Sequence, residues 1–354
     1  MEAWQMNILA MDLGKSNTVL CHYDSQSGEH HYEKIKTSPQ RIHDVLVKYS
    51  PDRLVFEVGA LAGWVQDIAV SLQIEPQAAN TSHQAWRWKN VKKKNDRTDA
   101  LKLARLSAMN QLPFVHIPGR SVRQKRALIR YRQNLIKSRT QIKNGIHAIL
   151  AREGISWSGS IGKGWSKRTL KRLSELACTV EDCGIDELWK GQLSLELKQL
   201  ETVERCIAEV EGRLDTLSES DENVKLLRSI DGVGRRLAEA VAAFLDEPGR
   251  FKTGKQVGSY VGLTPRQYQS GSMNRQGRIS GAGNDVLRAL LVEVSWLGLR
   301  YNTWMRQTYH RMLRGSASRK KIAITAVARK LIVRCWAMMR DRSEWREDGV
   351  KRAA

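Results

Sequence analysis

No run of this sequence is apolar over the ~18–20 residues that a bilayer-spanning helix needs. The first residues hold a short apolar stretch suited to a strand, where a secretory leader would carry a longer one, so the expected location is cytoplasmic. Cysteine is scarce: Cys21, Cys178, Cys183, Cys206 and Cys335 are scattered, with no Cys-x-x-Cys pair and no histidine spaced as a zinc partner. That argues against a zinc ribbon, and the five are expected to be reduced structural thiols. Acidic residues are missing from three long stretches, 101–152, 248–284 and 294–340, whereas residues 175–222 are rich in them. Ordinary solvated faces mix both signs, so acid-free stretches of this length point to a polyanionic partner.

What is present agrees. With 59 Lys and Arg against 37 Asp and Glu, the formal net charge of the 354 residues is +22, which favours nucleic acid and, for a prokaryotic protein, association with the nucleoid. The length allows two or three domains. Residues 6–11, 18–23 and 31–35 read as a three-stranded meander. A helix over 41–49, a short buried strand at 54–56, a helix over 61–72 and a further strand at 74–78 follow. The order β-β-β-α-β-α-β is that of an RNase H-like (RuvC-like) α/β domain, expected over residues 1–153.

Four acids fall at telling places in that order. Asp12 ends the first strand, Glu57 ends the fourth, and Asp96 and Asp99 open a helix on one face. Divalent cations need hard oxygen ligands converging from several elements, so Asp12, Glu57, Asp96 and Asp99 are the expected Mg²⁺ or Mn²⁺ ligands. The bland alternative makes Asp96 a helix cap and Asp99 a dipole-favoured first-turn acid.

Candidate nucleic-acid contacts lie along the rest of the chain. Trp86, Arg87, Trp88, Lys89, Lys92, Lys93 and Lys94 interleave rings that stack on bases with cations that neutralise phosphates. A basic helix over 120–150 presents Arg123, Arg126 and Arg130. Residues 154–164 read as a linker, and apolar positions from Leu193 to Leu217 form a coiled-coil seam or an amphipathic helix packed in the same chain, within a linker region of 154–222. A mainly α domain over 223–345 opens with a helix-hairpin-helix element whose Gly232, Gly234 and Arg235 suit a backbone phosphate, and residues 346–354 are a tail.

The chain is organised around residues 257–284, rich in glycine and carrying Arg266, Arg275 and Arg278. Ser270 stands in Gln-Ser-Gly, where the following glycine permits a tight turn that presents the hydroxyl. Tyr268 and Ser272 are rival nucleophiles. The final helix, 321–339, is expected to pack under this loop.

Asp12, Glu57, the Asp96-x-x-Asp99 pair, Gly232-Val-Gly234 and Tyr260-Val-Gly-Leu-Thr-Pro-Arg-Gln-Tyr-Gln-Ser-Gly271 resemble the DEDD-type transposases of the insertion sequence 110 family. The resemblance covers nearly the whole chain. It implies a bridge-RNA-guided DNA recombinase, with the four acids in a RuvC-like domain, a coiled coil, and Ser270 attacking DNA from a transposase domain to form a phosphoserine link. It further implies donor and target DNA and an element-encoded RNA as partners, and a dimer or tetramer in which acids and serine come from different subunits. No histidine lies between His147 and His310, so a neighbouring imidazole in sequence is not available to activate Ser270.

Overall fold

The computed structural model describes residues 6–80, 95–162, 164–270 and 273–346. Residues 86–89 and 92–94, on which seven of the expected nucleic-acid contacts fall, lie outside the described residues, as do Ser272 and most of the tail. The chain divides into two compact units, residues 1–124 and 125–354.

In the first unit, strands β1 (Asn7–Leu13), β2 (Asn17–Asp24), β3 (His30–Lys36), β4 (Arg53–Glu57) and β5 (Glu75–Ala79) form one sheet in the order β3-β2-β1-β4-β5. The meander β1–β3 is antiparallel, while β4 joins β1 in parallel and β5 joins β4 in parallel. This is the RNase H-like arrangement. Side chains alternate across the sheet. Leu9, Met11, Leu54 and Phe56 pack with helices α1 (Pro39–Tyr49) and α2 (Ala62–Ser71). Ile8, Ala10 and Val55 face the other way, against Ala100, Leu103 and Ala104 of α3 (Asp96–Ala108). Both faces are covered, and burial pushes the Cys21 thiol on the α3 face up to about 11.

The second unit begins within α4 (Arg120–Arg152), where the expected boundary lay at residue 153. The reason is apolar packing: Ile146 and Leu150 of α4 are buried with Leu193 and Leu200 of α6 (Leu188–Glu219), and Ile129 with Leu214. Ion pairs Arg132–Glu211 at 2.6 Å and Lys143–Glu204 at 3.1 Å set the two helices antiparallel. Leu193, Leu200, Ile207 and Leu214 recur every seven residues as the buried stripe of α6. The seam is thus a helical pair within the chain, the second of the two readings above. Between them α5 (Lys167–Leu176) occupies a segment with no clear pattern in the sequence. Cys178 and Cys183 form a disulfide, which corrects the expectation that all five cysteines are reduced; Cys21, Cys206 and Cys335 are free. The turn after α5 folds back on itself, bringing together two cysteines whose spacing matches no standard motif.

The largest core gathers α7 (Glu222–Arg228), α8 (Arg235–Leu245), α9 (Gly254–Tyr260), α10 (Asp285–Tyr301), α11 (Thr303–Leu313) and α12 (Lys320–Asp341). Helices α7 and α8 with their tight turn are the expected helix-hairpin-helix element. Gly232 has φ +86, and a Cβ there would come within 3.1 Å of the Gly298 Cα, so the turn lies directly on α10. Helix α12 packs against α7, α9, α10 and α11, while residues 266–270 are exposed; the final helix therefore supports the helical core and not the serine segment. Among the described residues, no helix is long and apolar enough to cross a membrane.

Glu239 of α8 is an ionisable group inside this core. It is 6% exposed, accepts from the Ser218 hydroxyl at 2.7 Å and pairs with Arg236 at 2.8 Å. Burial raises its pKa above the usual range of a glutamate carboxyl, against the lowering effects of Ser218 and Arg236. A raised folded pKa means the native state holds the proton more tightly than the unfolded chain, so this group's contribution to stability falls as pH rises through that window. Glu239→Gln should therefore gain stability relative to the native chain on going from pH 4.5 to neutrality, measured as the difference between their urea unfolding curves at the two pH values. A constant difference would show that folding leaves the affinity of this carboxyl for its proton unchanged.

Candidate active site

Strand register places the first two acids. Met11 pairs with Phe56 across parallel β1 and β4, so Asp12 and Glu57 are the next residues at the same ends of neighbouring strands, which lie about 4.8 Å apart. Alternation from Ala10 and Val55 turns both toward the α3 face. Helix α3 runs against β4: Arg53 at the start of β4 donates to the Ser107 carbonyl and hydroxyl near the end of α3, both at 3.3 Å. The N-terminal turn of α3 is thereby brought to the strand ends that carry Asp12 and Glu57. Asn95 caps that turn, accepting from the Arg97 amide at 3.0 Å, so Asp96 is the first helical residue and not the cap. Asp99 is 8% exposed and faces the sheet, with Asp96 exposed one turn before it.

Lys102 ties this grouping together and was not singled out from sequence. Burial pushes its ammonium pKa down, while Asp99 and Glu57 push it up. A helix residue and a strand-end residue thus share one cation, which offsets part of the charge of those two carboxylates. The signal available was its position three residues after Asp99, on the same side of α3. Asp12, Glu57, Asp96 and Asp99 offer hard oxygen atoms from three elements and no nitrogen or sulfur. That donor set fits divalent cations such as Mg²⁺ and is unsuited to zinc or copper.

In the second unit, Ser270 ends strand β6 (Pro265–Ser270), which pairs antiparallel with β7 (Met273–Ile279); Ser270 is opposite Met273. The segment expected as a loop is therefore a two-stranded ribbon, with Ser270 exposed at the end of its first strand. Arg266, Arg275 and Arg278 are exposed on it. Tyr268 is 54% exposed and lies over Gly277, where a Cβ would meet its ring at 2.9 Å.

The base of the ribbon explains the glycines around it. Ser280 donates to the Thr264 carbonyl at 2.8 Å, the Asn284 amide to the Tyr260 carbonyl at 3.0 Å, and Arg288 to the Val261 carbonyl at 2.9 Å. Gly283 has φ +110, and a Cβ there would lie 2.3 Å from the Tyr260 carbonyl oxygen. Gly262, with φ +73, would meet the Ala282 oxygen at 2.1 Å. These two backbones touch, which anchors the ribbon between α9 and α10. Gly283→Ala should cost about 2–6 kcal/mol, the sum of a left-handed backbone penalty and overpacking, read from chemical denaturation. A loss below about 1 kcal/mol would mean that the contact is not needed.

Several expected nucleic-acid contacts have partners inside their own unit. Arg123 pairs with Asp67 at 2.5 Å and donates to the Pro118 carbonyl. Arg126 donates to the carbonyls of Ala243 and Phe244 at 2.8 and 3.2 Å, and burial lowers its pKa. Arg130 lies 3.6 Å from Asp285 and stacks on Phe244. Arg235 pairs with Asp215 at 2.8 Å beside Gly234, which begins α8 without a side-chain cap.

Comparison with known proteins gives these features a context. A DEDD transposase model of the IS110 family, described as "Transposase", matches residues 9–154, and one described as "Transposase IS116/IS110/IS902 family" matches residues 224–310. A probable family 20 transposase of Pseudomonas aeruginosa is 27% identical over 236 residues, 66% of this chain and 68% of its own. The transposase for insertion sequence element IS1111A of Coxiella burnetii is 28% identical over 257 residues, 72% of this chain and 68% of its own. The pilin gene-inverting protein of Moraxella bovis is 31% identical over 127 residues, 34% of this chain and 38% of its own. A Thermus thermophilus RuvC structure covers 31% of this chain and 100% of its own at 17% identity and a TM-score of 0.22, too slight a likeness to argue from. The two family models take in Asp12, Glu57, Asp96 and Asp99 on one side and Ser270 on the other, and the chain belongs to the IS110 family of transposases.

Proposed function

We propose that this transposase cuts and rejoins donor and target DNA through a phosphoserine link on Ser270, guided by an RNA from its own element. The observation that carries the serine step is the place of Ser270: exposed, at the end of the first strand of a ribbon with three arginines and no acid, in a transposase. The Ser270 oxygen attacks a backbone phosphorus; one P–O ester bond forms as another breaks, and the departing sugar oxygen takes up a proton. The link conserves the ester, so the reverse attack by a different sugar hydroxyl rejoins DNA and frees the serine. Arg275, two residues along β7 from the partner of Ser270, holds the phosphate charge beside it. Asp12, Glu57, Asp96 and Asp99 would hold Mg²⁺, which would supply Lewis acidity toward a phosphodiester.

Along the stretches where an RNA pairs with the DNAs, the protein would be left to hold backbones, for which the acid-free stretches are suited. The reading includes a homo-oligomer, dimer or tetramer. Inversion, named for the Moraxella relative, needs the same cutting and rejoining. The second reading is a metal-dependent nuclease in which water attacks and Ser270 only binds phosphate; the acid grouping on an RNase H-like sheet favours it. Label transferred covalently from donor DNA to protein separates the two, since hydrolysis leaves free ends and no adduct.

A further inference from the structure

The ribbon carries different chemistry on its two faces. Cross-strand partners share a face, and faces alternate along each strand. Gln267 pairs with Gln276 and Gln269 with Asn274, which sets four carboxamides on one face; Tyr268 pairs with Arg275 on the other, the side of Ser270. All four amides are exposed, and among the described residues none has a hydrogen-bond partner. A ribbon made to pack would put an apolar face inward, and one made only to be solvated would mix charges of both signs. This face does neither.

We propose that the carboxamide face, opposite the face that carries Ser270, reads base edges in the major groove of B-form DNA, preferring A·T pairs. A carboxamide offers a donor and an acceptor side by side, the complement of the adenine N6 amine and N7, and a two-stranded ribbon fits the major groove. The deep, narrow major groove of an A-form duplex would not admit it, so the occupant is DNA and not paired RNA. Arginine arms from the opposite face reach the phosphates that wall the groove, and the ribbon has no acid to oppose them. Two residues along a strand advance about 6.7 Å, close to two base-pair rises, so the two amide pairs address base pairs about two steps apart.

The inference rests on the reading that the Ser270 ribbon contacts DNA, but it is tested without cleavage. The full-length protein is used to select from a pool of duplexes with a randomised block, in parallel with a variant carrying Gln267→Ala, Gln269→Ala, Asn274→Ala and Gln276→Ala. The expected result is that the native chain enriches A·T at two positions about two steps apart, each by about 5- to 150-fold. The variant should lose that enrichment yet keep most of its affinity, because phosphate contacts carry the latter. Replacing adenine by 7-deazaadenine at the enriched positions should weaken the native chain and leave the variant unchanged. A pool that the native chain leaves unenriched, or one that the variant enriches identically, overturns the proposal. Enrichment that persists in a protein forming no Ser270 adduct would sink the serine chemistry alone; lost amide readout with an intact adduct would do the reverse.

Discussion

Ser270→Ala is expected to abolish the covalent protein–DNA adduct. When the native chain, the RNA from its element and end-labelled donor DNA are incubated with Mg²⁺ and denatured, label should migrate with the protein, and the phosphorylated peptide should contain Ser270. Loss of a serine nucleophile costs on the order of 10⁶-fold in turnover where the attack depends on it. Strand joining should fall by a comparable factor. The substitution removes one exposed oxygen at the end of a strand, where no packing is lost, so the variant should melt with the native chain. Tyr268→Phe and Ser272→Ala serve as controls for the rival nucleophiles and should both retain the adduct. The ring of Tyr268 lies over Gly277, a packing role that phenylalanine preserves. Mg²⁺-dependent cleavage with no adduct in the native chain would overturn the recombinase chemistry and leave the hydrolytic reading.

Much of the first unit was legible because each element there obeys a period that the sequence displays. Strands β1 to β4 alternate or run apolar between turn residues, and α1 buries Ile42, Val45 and Leu46 at helical spacing. Asp12 and Glu57 could be placed because they end such runs. The grouping of those acids with Lys102 could not, since it depends on which face α3 covers and in which direction it runs. Both are tertiary facts, fixed by Arg53 and Ser107.

The serine segment was misjudged in form for the opposite reason. Residues 266–270 and 273–276 are polar apart from Tyr268 and Met273, so no apolar alternation marks them as strands. The clue lay in symmetry: two polar stretches flank Gly271 and Ser272 with glutamines and an asparagine in register. In the same way Arg126 looks like any other cation on a basic helix, and only the fold shows its guanidinium bound to the end of α8. Charge runs give the sign of a partner but not which charges are spent within the chain.

Asp99→Asn is expected to remove Mg²⁺-dependent cleavage and, with it, the response of the fold to Mg²⁺. The change is nearly isosteric at a side chain that is 8% exposed, and it removes one negative oxygen where Asp99 and Glu57 both act on Lys102. Losing one group that stabilises negative charge at a reacting centre costs on the order of 10²–10³ in rate, and losing a ligand of the cation that would do so should cost at least about a thousandfold. Binding of a cation to the native state alone stabilises it by mass action, so the native chain should melt higher in Mg²⁺ while Asp99→Asn should show little or no shift. Without Mg²⁺ the variant should be as stable as the native chain or slightly more so, because like charges no longer crowd the site. A purely structural Asp99, serving α3 as a first-turn acid, predicts the reverse: lower stability in either condition and an unchanged Mg²⁺ shift. Asp12→Asn should repeat the first pattern from a different element, because Asp12 reaches the site from the end of β1 and not from the helix. Agreement between a strand variant and a helix variant would be hard to obtain from any local role of either residue, and it would fix the cation between them.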